Sequence, residues 1–300
     1  MASPLVSVVI PTHGRGELLS RAIHSVLAQT QSSLEIIVVD DNGRGTEEQL
    51  AVEQIVRGIN HSIRYEINET NQGGGYTRNS GVAVATGQYI GFLDDDDEWL
   101  PEFVEFGLAA LEQSKADVVY CDCFVVYSGP TERQTLQINN KHSGDVWAPL
   151  VAGWCPRSTS LFLMNRSVAD EHRLFDPALA SFQDYDCWLT LARRGHQFTW
   201  YEKPLVRKHE HSQGQITTNT GKRRQAINVF GNKWLPTLQS NEQAVFRTTL
   251  QRLEKDTYRT DFALAFKQLK IGSAIKNAIR YVKTGQSSAI DLYRLLRSLR

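Results

Sequence analysis

The sequence predicts an α/β protein with a mostly parallel central sheet flanked by helices, followed by a C-terminal helical extension. Three observations lead there. Over the first 127 residues, short β-branched apolar runs alternate with stretches of helical periodicity. Those runs are apolar throughout rather than at every second position, as strands covered on both faces require. Beyond about residue 222 the pattern is helical to the end. These changes suggest a domain over 1–222, divisible near 127 into 1–127 and 128–222, and an extension over 223–300.

The elements follow in order. Val6 to Ile10 is a strand stopped by Pro11, and Leu18, Leu19, Ala22, Ile23, Val26 and Leu27 then keep helical spacing. A second strand, Glu35 to Val39, runs into Asp40 and Asp41. A polar helix over 46–56 precedes a third strand, Ile63 to Ile67. Residues 76–85 predict a helix, 89–93 a strand, and 101–113 a helix opened by Pro101. A strand over 118–127 leads into a polar stretch, 128–146, expected to be irregular or a hairpin. The segment Asp184-Tyr185-Asp186-Cys187-Trp188-Leu189 starts a helix ending near Gly195, and 198–206 is a last strand running toward His209 and His211.

Composition sets limits. Apolar residues are 41% and charged residues 22% of the 300, as in ordinary globular chains. The 33 Lys+Arg balance the 33 Asp+Glu, and no nucleic-acid partner is expected. The balance is uneven: residues 251–300 hold eleven Lys/Arg against four Asp/Glu, a local +7, leaving −7 for the first 250. Cys121, Cys123, Cys155 and Cys187 are too few and scattered for a disulfide framework, and no second cysteine pair completes a zinc site. They are expected to be reduced structural thiols. No apolar run approaches the ~20 residues of a membrane span, and no signal peptide is evident, so a cytoplasmic location is expected.

Open α/β sheets bind ligands beyond the carboxyl ends of their strands. At those positions stand Pro11-Thr12-His13-Gly14-Arg15, Asp40-Asp41-Asn42-Gly43, Asn71-Gln72-Gly73-Gly74-Gly75 and Asp94-Asp95-Asp96-Asp97, all polar and two of them acidic. Four consecutive carboxylates at the end of a buried strand repel one another, and a divalent cation relieves that repulsion through hard oxygen ligands. One of the four, Asp97, could instead cap the helix at Pro101. Mg2+ commonly shares its shell with substrate phosphates, which suggests a diphosphate ligand. The chain has neither a Walker sequence nor the dinucleotide glycine spacing. Phosphate binding therefore falls to the metal and Arg78.

The runs Val6-Ser7-Val8-Val9-Ile10-Pro11-Thr12, Ile36-Ile37-Val38-Val39-Asp40-Asp41, Asn71 to Gly81 and Phe92-Leu93-Asp94-Asp95-Asp96-Asp97 resemble, in order, the motifs of the family 2 glycosyltransferases. The likeness covers residues 5–215. It implies the GT-A fold and inverting transfer from a nucleotide-diphosphate sugar, here a UDP-sugar, with Mn2+ or Mg2+ as cofactor. It also implies that Pro11, Thr12, His13, Arg15 and Asp41 line the base and ribose pocket, with Arg78 beside the nucleotide. Asp94 and Asp96 correspond to the family's DxD pair at ribose and metal, with Asp95 a ribose contact. Phe182-Gln183-Asp184-Tyr185-Asp186-Cys187-Trp188 is similar to the family's Glu-Asp-x-Asp-x-Trp segment, which makes Asp184 the general base. His209 or His211 would reach the metal or diphosphate. Three places depart: His13-Gly14 replaces the usual Tyr-Asn, Thr77 replaces the usual Ala before Arg78-Asn79, and Gln183 replaces a Glu.

The implied role is bacterial surface polysaccharide or glycolipid synthesis on a saccharide or lipid-linked acceptor. A nucleotidyltransferase and a catalytically silent nucleotide-sugar-binding protein are the competing readings. In the basic extension, residues 260–300 alternate apolar and Lys/Arg positions at helical spacing, suited either to an anionic membrane surface, hence the inner face of the cell membrane, or to a protein surface. A homo-oligomer is also compatible with this segment.

Overall fold

A computed structural model describes residues 5–127, 133–139, 141–156, 158–170, 173–210, 220–267 and 271–283. The chain forms two units. The first comprises Met1–Leu150, Trp154–Ala178 and Gln183–Ser212; the second comprises Val151–Gly153, Leu179–Phe182 and Gln213–Arg300.

The first unit is built on one sheet. In chain order its elements are β1 (Val6–Thr12), α1 (Gly16–Leu27), β2 (Leu34–Asp40), α2 (Glu47–Gly58), β3 (Ile63–Ile67), α3 (Gly74–Val84), β4 (Tyr89–Phe92), β5 (Glu98–Trp99), α4 (Phe103–Ser114), β6 (Val118–Tyr127), β7 (Arg133–Gln137), α5 (Trp147–Val151), β8 (Phe162–Asn165), α6 (Arg166–Asp170), α7 (Gln183–Arg193) and β9 (Phe198–Glu210). The strand order is β3-β2-β1-β4-β8-β6-β9-β5, with β7 paired to β6. Strands β3, β2, β1 and β4 are parallel. The continuous apolar runs on β1 and β2 are explained by helices on both faces: Val6, Val8, Val9, Ile10 and Ile36 to Val39 are all buried.

Two close approaches fix this half. A Cβ on Gly81 of α3 would lie 2.3 Å from Val9 Cγ1 and 3.2 Å from Val39 Cγ2, so only glycine lets the helix rest on β1 and β2. A Cβ on Gly91 of β4 would lie 2.6 Å from Leu163 Cδ2 and 2.8 Å from the Trp99 ring, which seats β8 and the indole against β4. On α1, Leu19, Ala22, Ile23 and Val26 form the buried stripe that its spacing predicts. Helix α2 is capped by Thr46, whose hydroxyl accepts from the Gln49 N–H at 3.2 Å.

The other half mixes directions. β8 is antiparallel to both β4 and β6, β9 is parallel to β6, and β5 is antiparallel to β9. The strands β5 and β8 have no counterpart in the sequence reading; each is too short for a periodicity to register. The stretch after β6 forms a hairpin with β7, as expected. The β6–β9 register shifts around Asp122, opposite Pro204, where the missing N–H of proline is tolerated at a bulge.

Three further expectations are corrected. Helix α4 begins at Phe103, leaving Pro101 in the preceding turn, and its N-cap residue is Glu102. Asp97 therefore caps nothing; its carboxylate is turned inward. β9 extends to Glu210 rather than ending at Val206, which carries His209 into the sheet. The four cysteines stand outside any disulfide, and burial pushes the Cys121 and Cys123 thiols up to about 12.

The second unit is helical: α8 (Thr220–Trp234), α9 (Ser240–Lys267) and α10 (Ile271–Lys283). Its core gathers Phe230, Phe246, Trp234 and Phe262, with Phe230 5.8 Å from the Phe182 ring and 5.6 Å from that of Phe246. Arg224 and Thr220 of α8 both bond the Asp261 carboxylate of α9. No helix among the described residues is long and apolar enough to cross a membrane.

Candidate active site

The polar strand ends of the first unit meet as the sheet topology requires. At the end of β2, Asp41 is buried and accepts from Asn68 Nδ2 at 2.7 Å and from the N–H groups of Gln72 and Gly73 at 2.8 Å each. It pins the loop that leads to α3, where Gly73 takes a positive φ of 81°. Each carboxylate oxygen has two acceptor sites, so this duty leaves room for a ligand. Asp40 points away into the protein, accepting from Tyr65 Oη at 2.6 Å, and burial raises its carboxyl. Pro11 stays within β1, paired with Val39. His13 is exposed, its Nδ1 3.1 Å from the Asp41 carbonyl oxygen and its Nε2 3.1 Å from Asn71 Nδ2. In place of a phenol ring, the strand end therefore presents an imidazole tied to the neighbouring loops.

The aspartate run lies beyond β4, and its members face different partners. Asp94 accepts from Arg78 at 2.5 Å and from Thr159 Oγ1 at 3.2 Å. Burial pushes its carboxyl up, but Arg78 and Arg15 outweigh that and leave it below the ordinary value. Asp95 accepts from Thr12 Oγ1 at 2.8 Å and pairs with Arg15 at 3.1 Å, yet burial beside Asp96 lifts it to about 7. Asp96 pairs with the same Arg15, while its backbone carbonyl accepts from Arg21 at 2.8 Å. Asp97 is almost fully buried and accepts from Ser160 Oγ at 2.7 Å and from the His209 N–H at 3.2 Å. Burial and the adjacent Asp96 and Asp94 hold its carboxyl well above the usual range.

One carboxylate oxygen from each of Asp94, Asp96 and Asp97 lies within 4.8 Å of the other two. Oxygen ligands at about 2.0–2.6 Å from a divalent cation stand up to about 5 Å apart across it, so spacing and donor chemistry fit Mg2+ or Mn2+. Asp97, expected only as a cap, joins Asp94 and Asp96 in this set.

Asp184 sits in the first turn of α7, held by the stacking of Trp188 on Phe162 of β8 at 3.6 Å. Its Oδ1 accepts from the Tyr185 N–H at 2.8 Å. Burial raises its carboxyl against the opposing pull of Arg78, and it also feels the charges of Asp94 and Lys208. Its neighbour Gln183 accepts from Arg78 Nη1 at 3.1 Å. A single guanidinium thus bridges the start of α7 and the aspartate run. Lys208 lies nearby: burial lowers its ammonium, but Asp97 and Glu210 overcome this and raise it.

His209 is buried, and its ring nitrogen Nε2 is 2.7 Å from Glu98 Oε1 rather than among the three clustered oxygens. Its backbone N–H reaches the run, donating to Asp97 Oδ1. His211 lies outside the described residues.

Sequence reading missed Ser158, Thr159 and Ser160, whose hydroxyls hold Asp97 and Asp94. They stand in the turn entering β8, and nothing in their local pattern announces that β8 inserts beside β4. Arg21 and Glu98, which meet at 3.3 Å, were missed because a helix-face arginine and a fifth acidic residue look like ordinary surface charge.

Known proteins share the sequence pattern and the fold of this chain. The family model described as "Glycosyl transferase family 2" matches residues 7–173. WcaA, the glycosyl transferase assigned to colanic acid biosynthesis in Escherichia coli strain K12, is 31% identical over 236 residues, covering 73% of this chain and 78% of its own. The amylovoran biosynthesis glycosyltransferase AmsB of Erwinia amylovora is 26% identical over 209 residues, covering 68% of this chain and 69% of its own. In fold, the chain resembles S. aureus TarS 1–349 solved with UDP-GlcNAc (TM-score 0.64, 17% identity, 93% of this chain and 81% of that one). It also resembles the mannosyltransferase PcManGT of Pyrobaculum calidifontis solved with GDP-Man and Mn2+ (TM-score 0.60, 15% identity, 100% of this chain and 81% of that one).

Proposed function

The chain belongs to glycosyl transferase family 2, and on that premise we propose that it moves a sugar from a nucleotide-diphosphate sugar to an acceptor hydroxyl, with inversion and a divalent cation. The observation that carries this reading is the convergence of Asp94, Asp96 and Asp97 oxygens within 4.8 Å, with Asp184 close enough to feel both Asp94 and Arg78. Asp94, Asp96 and Asp97 would hold Mn2+ or Mg2+, which supplies positive charge to the departing diphosphate.

The chain's own groups do the rest. Pro11, Thr12, His13 and Asp41 border the space for base and ribose. Arg78, fixed between Gln183 and Asp94, presents positive charge beside the diphosphate. Asp184 accepts the acceptor's hydroxyl proton as that oxygen bonds to the anomeric carbon and the bond to the diphosphate breaks. A carboxyl raised by burial is a better base for this step than an ordinary one. One displacement from the face opposite the leaving group inverts the centre.

The donor is read as a UDP-sugar. The acceptor is read as a growing surface polysaccharide or glycolipid, which the biosynthetic names of WcaA and AmsB support. Membrane contact would use α10, where exposed Ile279 and Val282 stand among Lys276 and Arg280.

The test is donor turnover by the whole chain with UDP- and GDP-sugars, with and without Mn2+. Release of the nucleoside diphosphate that requires Mn2+ and disappears in Asp96→Ala is the expected result. Release of pyrophosphate, or full activity in Asp96→Ala, overturns the reading.

A further inference from the structure

Two arginines pair with the aspartate run, and they are held very differently. Arg78 is 11% exposed; it donates to Gly74 O at 3.2 Å, to Gln183 Oε1 at 3.1 Å and to Asp94 at 2.5 Å, and its guanidinium lies 5.6 Å from the centre of the Phe175 ring. Arg15 is 32% exposed and spans Asp95 and Asp96. Its backbone is anchored at the start of α1, where its carbonyl accepts from Leu18 and Leu19 at 3.0 and 3.2 Å, and its side chain has no capping duty. The guanidinium can therefore leave without unfolding the helix. The run can also keep its shape when this happens, because Arg21 holds the Asp96 carbonyl and Ser160 holds Asp97.

Arg15 pairs with a carboxylate that the cation needs. Asp96 is one of the three residues whose oxygens cluster, and a guanidinium on it repels an incoming divalent ion. A diphosphate offers the same guanidinium a planar two-oxygen partner of equal or greater charge.

We propose that Arg15 is a displaceable internal counter-ion: it occupies Asp95 and Asp96 in the ligand-free chain and transfers to the donor's diphosphate, so that cation and nucleotide bind as a coupled pair. The inference rests on the metal-dependent reading above and adds an order to it. The free chain holds Mn2+ weakly, a nucleoside diphosphate tightens it, and Mn2+ tightens the nucleotide by the same factor. Arg15 acts here on both the carboxylates and the donor's diphosphate, so its effect is read in the coupling between the two ligands.

The test is Mn2+ binding to the whole chain, followed by electron paramagnetic resonance of the free ion, without nucleotide and then with UDP or GDP. Wild type should bind Mn2+ about tenfold more tightly once the diphosphate is present, within the usual range of coupling. Arg15→Gln should bind Mn2+ alone about fivefold or more tighter than wild type and show little further gain with nucleotide. Arg15→Lys keeps the charge and should stay near wild type with Mn2+ alone. Circular dichroism melting checks that each variant is folded. Arg15→Gln that is folded but binds Mn2+ alone no tighter than wild type overturns this inference while leaving the proposed function standing. Absence of Mn2+ binding in every form, with and without nucleotide, removes the metal-dependent reading itself.

Discussion

The two halves of the sheet meet at β4 and β8 and are made by different rules. On one side β3, β2, β1 and β4 run parallel, each followed by a loop that supplies one polar strand end. On the other side directions are mixed, β6 and β9 being parallel while β8 and β5 run antiparallel to their neighbours, and these strands supply Ser160, Asp184 by way of α7, and the His209 N–H. The parallel half offers a row of loops at one edge, suited to reading an extended ligand. The mixed half fixes the shape of the aspartate run and the helix that bears Asp184, the proposed base. On the proposed function, recognition and turnover would rest on separate halves, joined by Arg78.

Asp184→Asn tests that separation most strongly. It should lower kcat by about 10²–10⁴-fold, with nucleoside diphosphate affinity and melting temperature near those of wild type. Loss of nucleotide binding in this variant would show that the halves do not divide the work. In the parallel half, Gly81→Ala should destabilise the chain by about 1–3 kcal/mol, because its methyl would overlap Val9. Denaturant unfolding measures this, and an unchanged midpoint would mean that α3 can lift off β1 at little expense.

The shallowest effect is on pH. Asp95 leans on the parallel half through Thr12, and burial lifts its carboxyl from 3.8 to about 7. Between those values the folded chain keeps a proton that the unfolded chain has lost. This contribution to stability is full below about pH 4 and is lost as the pH rises through 7. Asp97 shifts in the same direction and Asp94 in the opposite one. The metal-free chain should therefore melt at a lower temperature at pH 8 than at pH 5, and Mn2+, which needs ionised ligands, should raise the midpoint more at pH 8. Calorimetric scans in chelator and in Mn2+ check both signs.

The parallel half was legible because its information is local. Val8, Val9 and Ile36 to Val39 declare buried strands, and topology alone puts the polar residues after them at the edge where such sheets bind ligands, although Asp40 turns inward. The mixed half was legible only in part. β6 and β9 are long enough to be seen, whereas β5 and β8 are defined by pairing partners far along the chain. The same difference runs through the site. Asp94 and Asp96 stand out in the sequence and are joined in the structure by Asp97, which had looked like a cap. Ser160 and Arg21 matter through partners that no local pattern names. His209 was singled out for its ring, yet it reaches the aspartate run through its backbone.

The hydroxyl of Ser160 also accepts from the Asp94 N–H at 3.1 Å, so one oxygen ties both ends of the run across more than sixty intervening residues. That span gives the active centre a place in time. Large loops must close before such contacts can form, and each closure carries an entropic penalty that local helices never meet. As the chain emerges during synthesis, β1 to β4 can pair early, while the four aspartates remain a loose acidic tether until β8 arrives and later β9 brings His209. In vectorial synthesis the strand ends of the parallel half have all emerged by Asp97, whereas the aspartate run lacks its Ser160 and His209 contacts until those later residues follow.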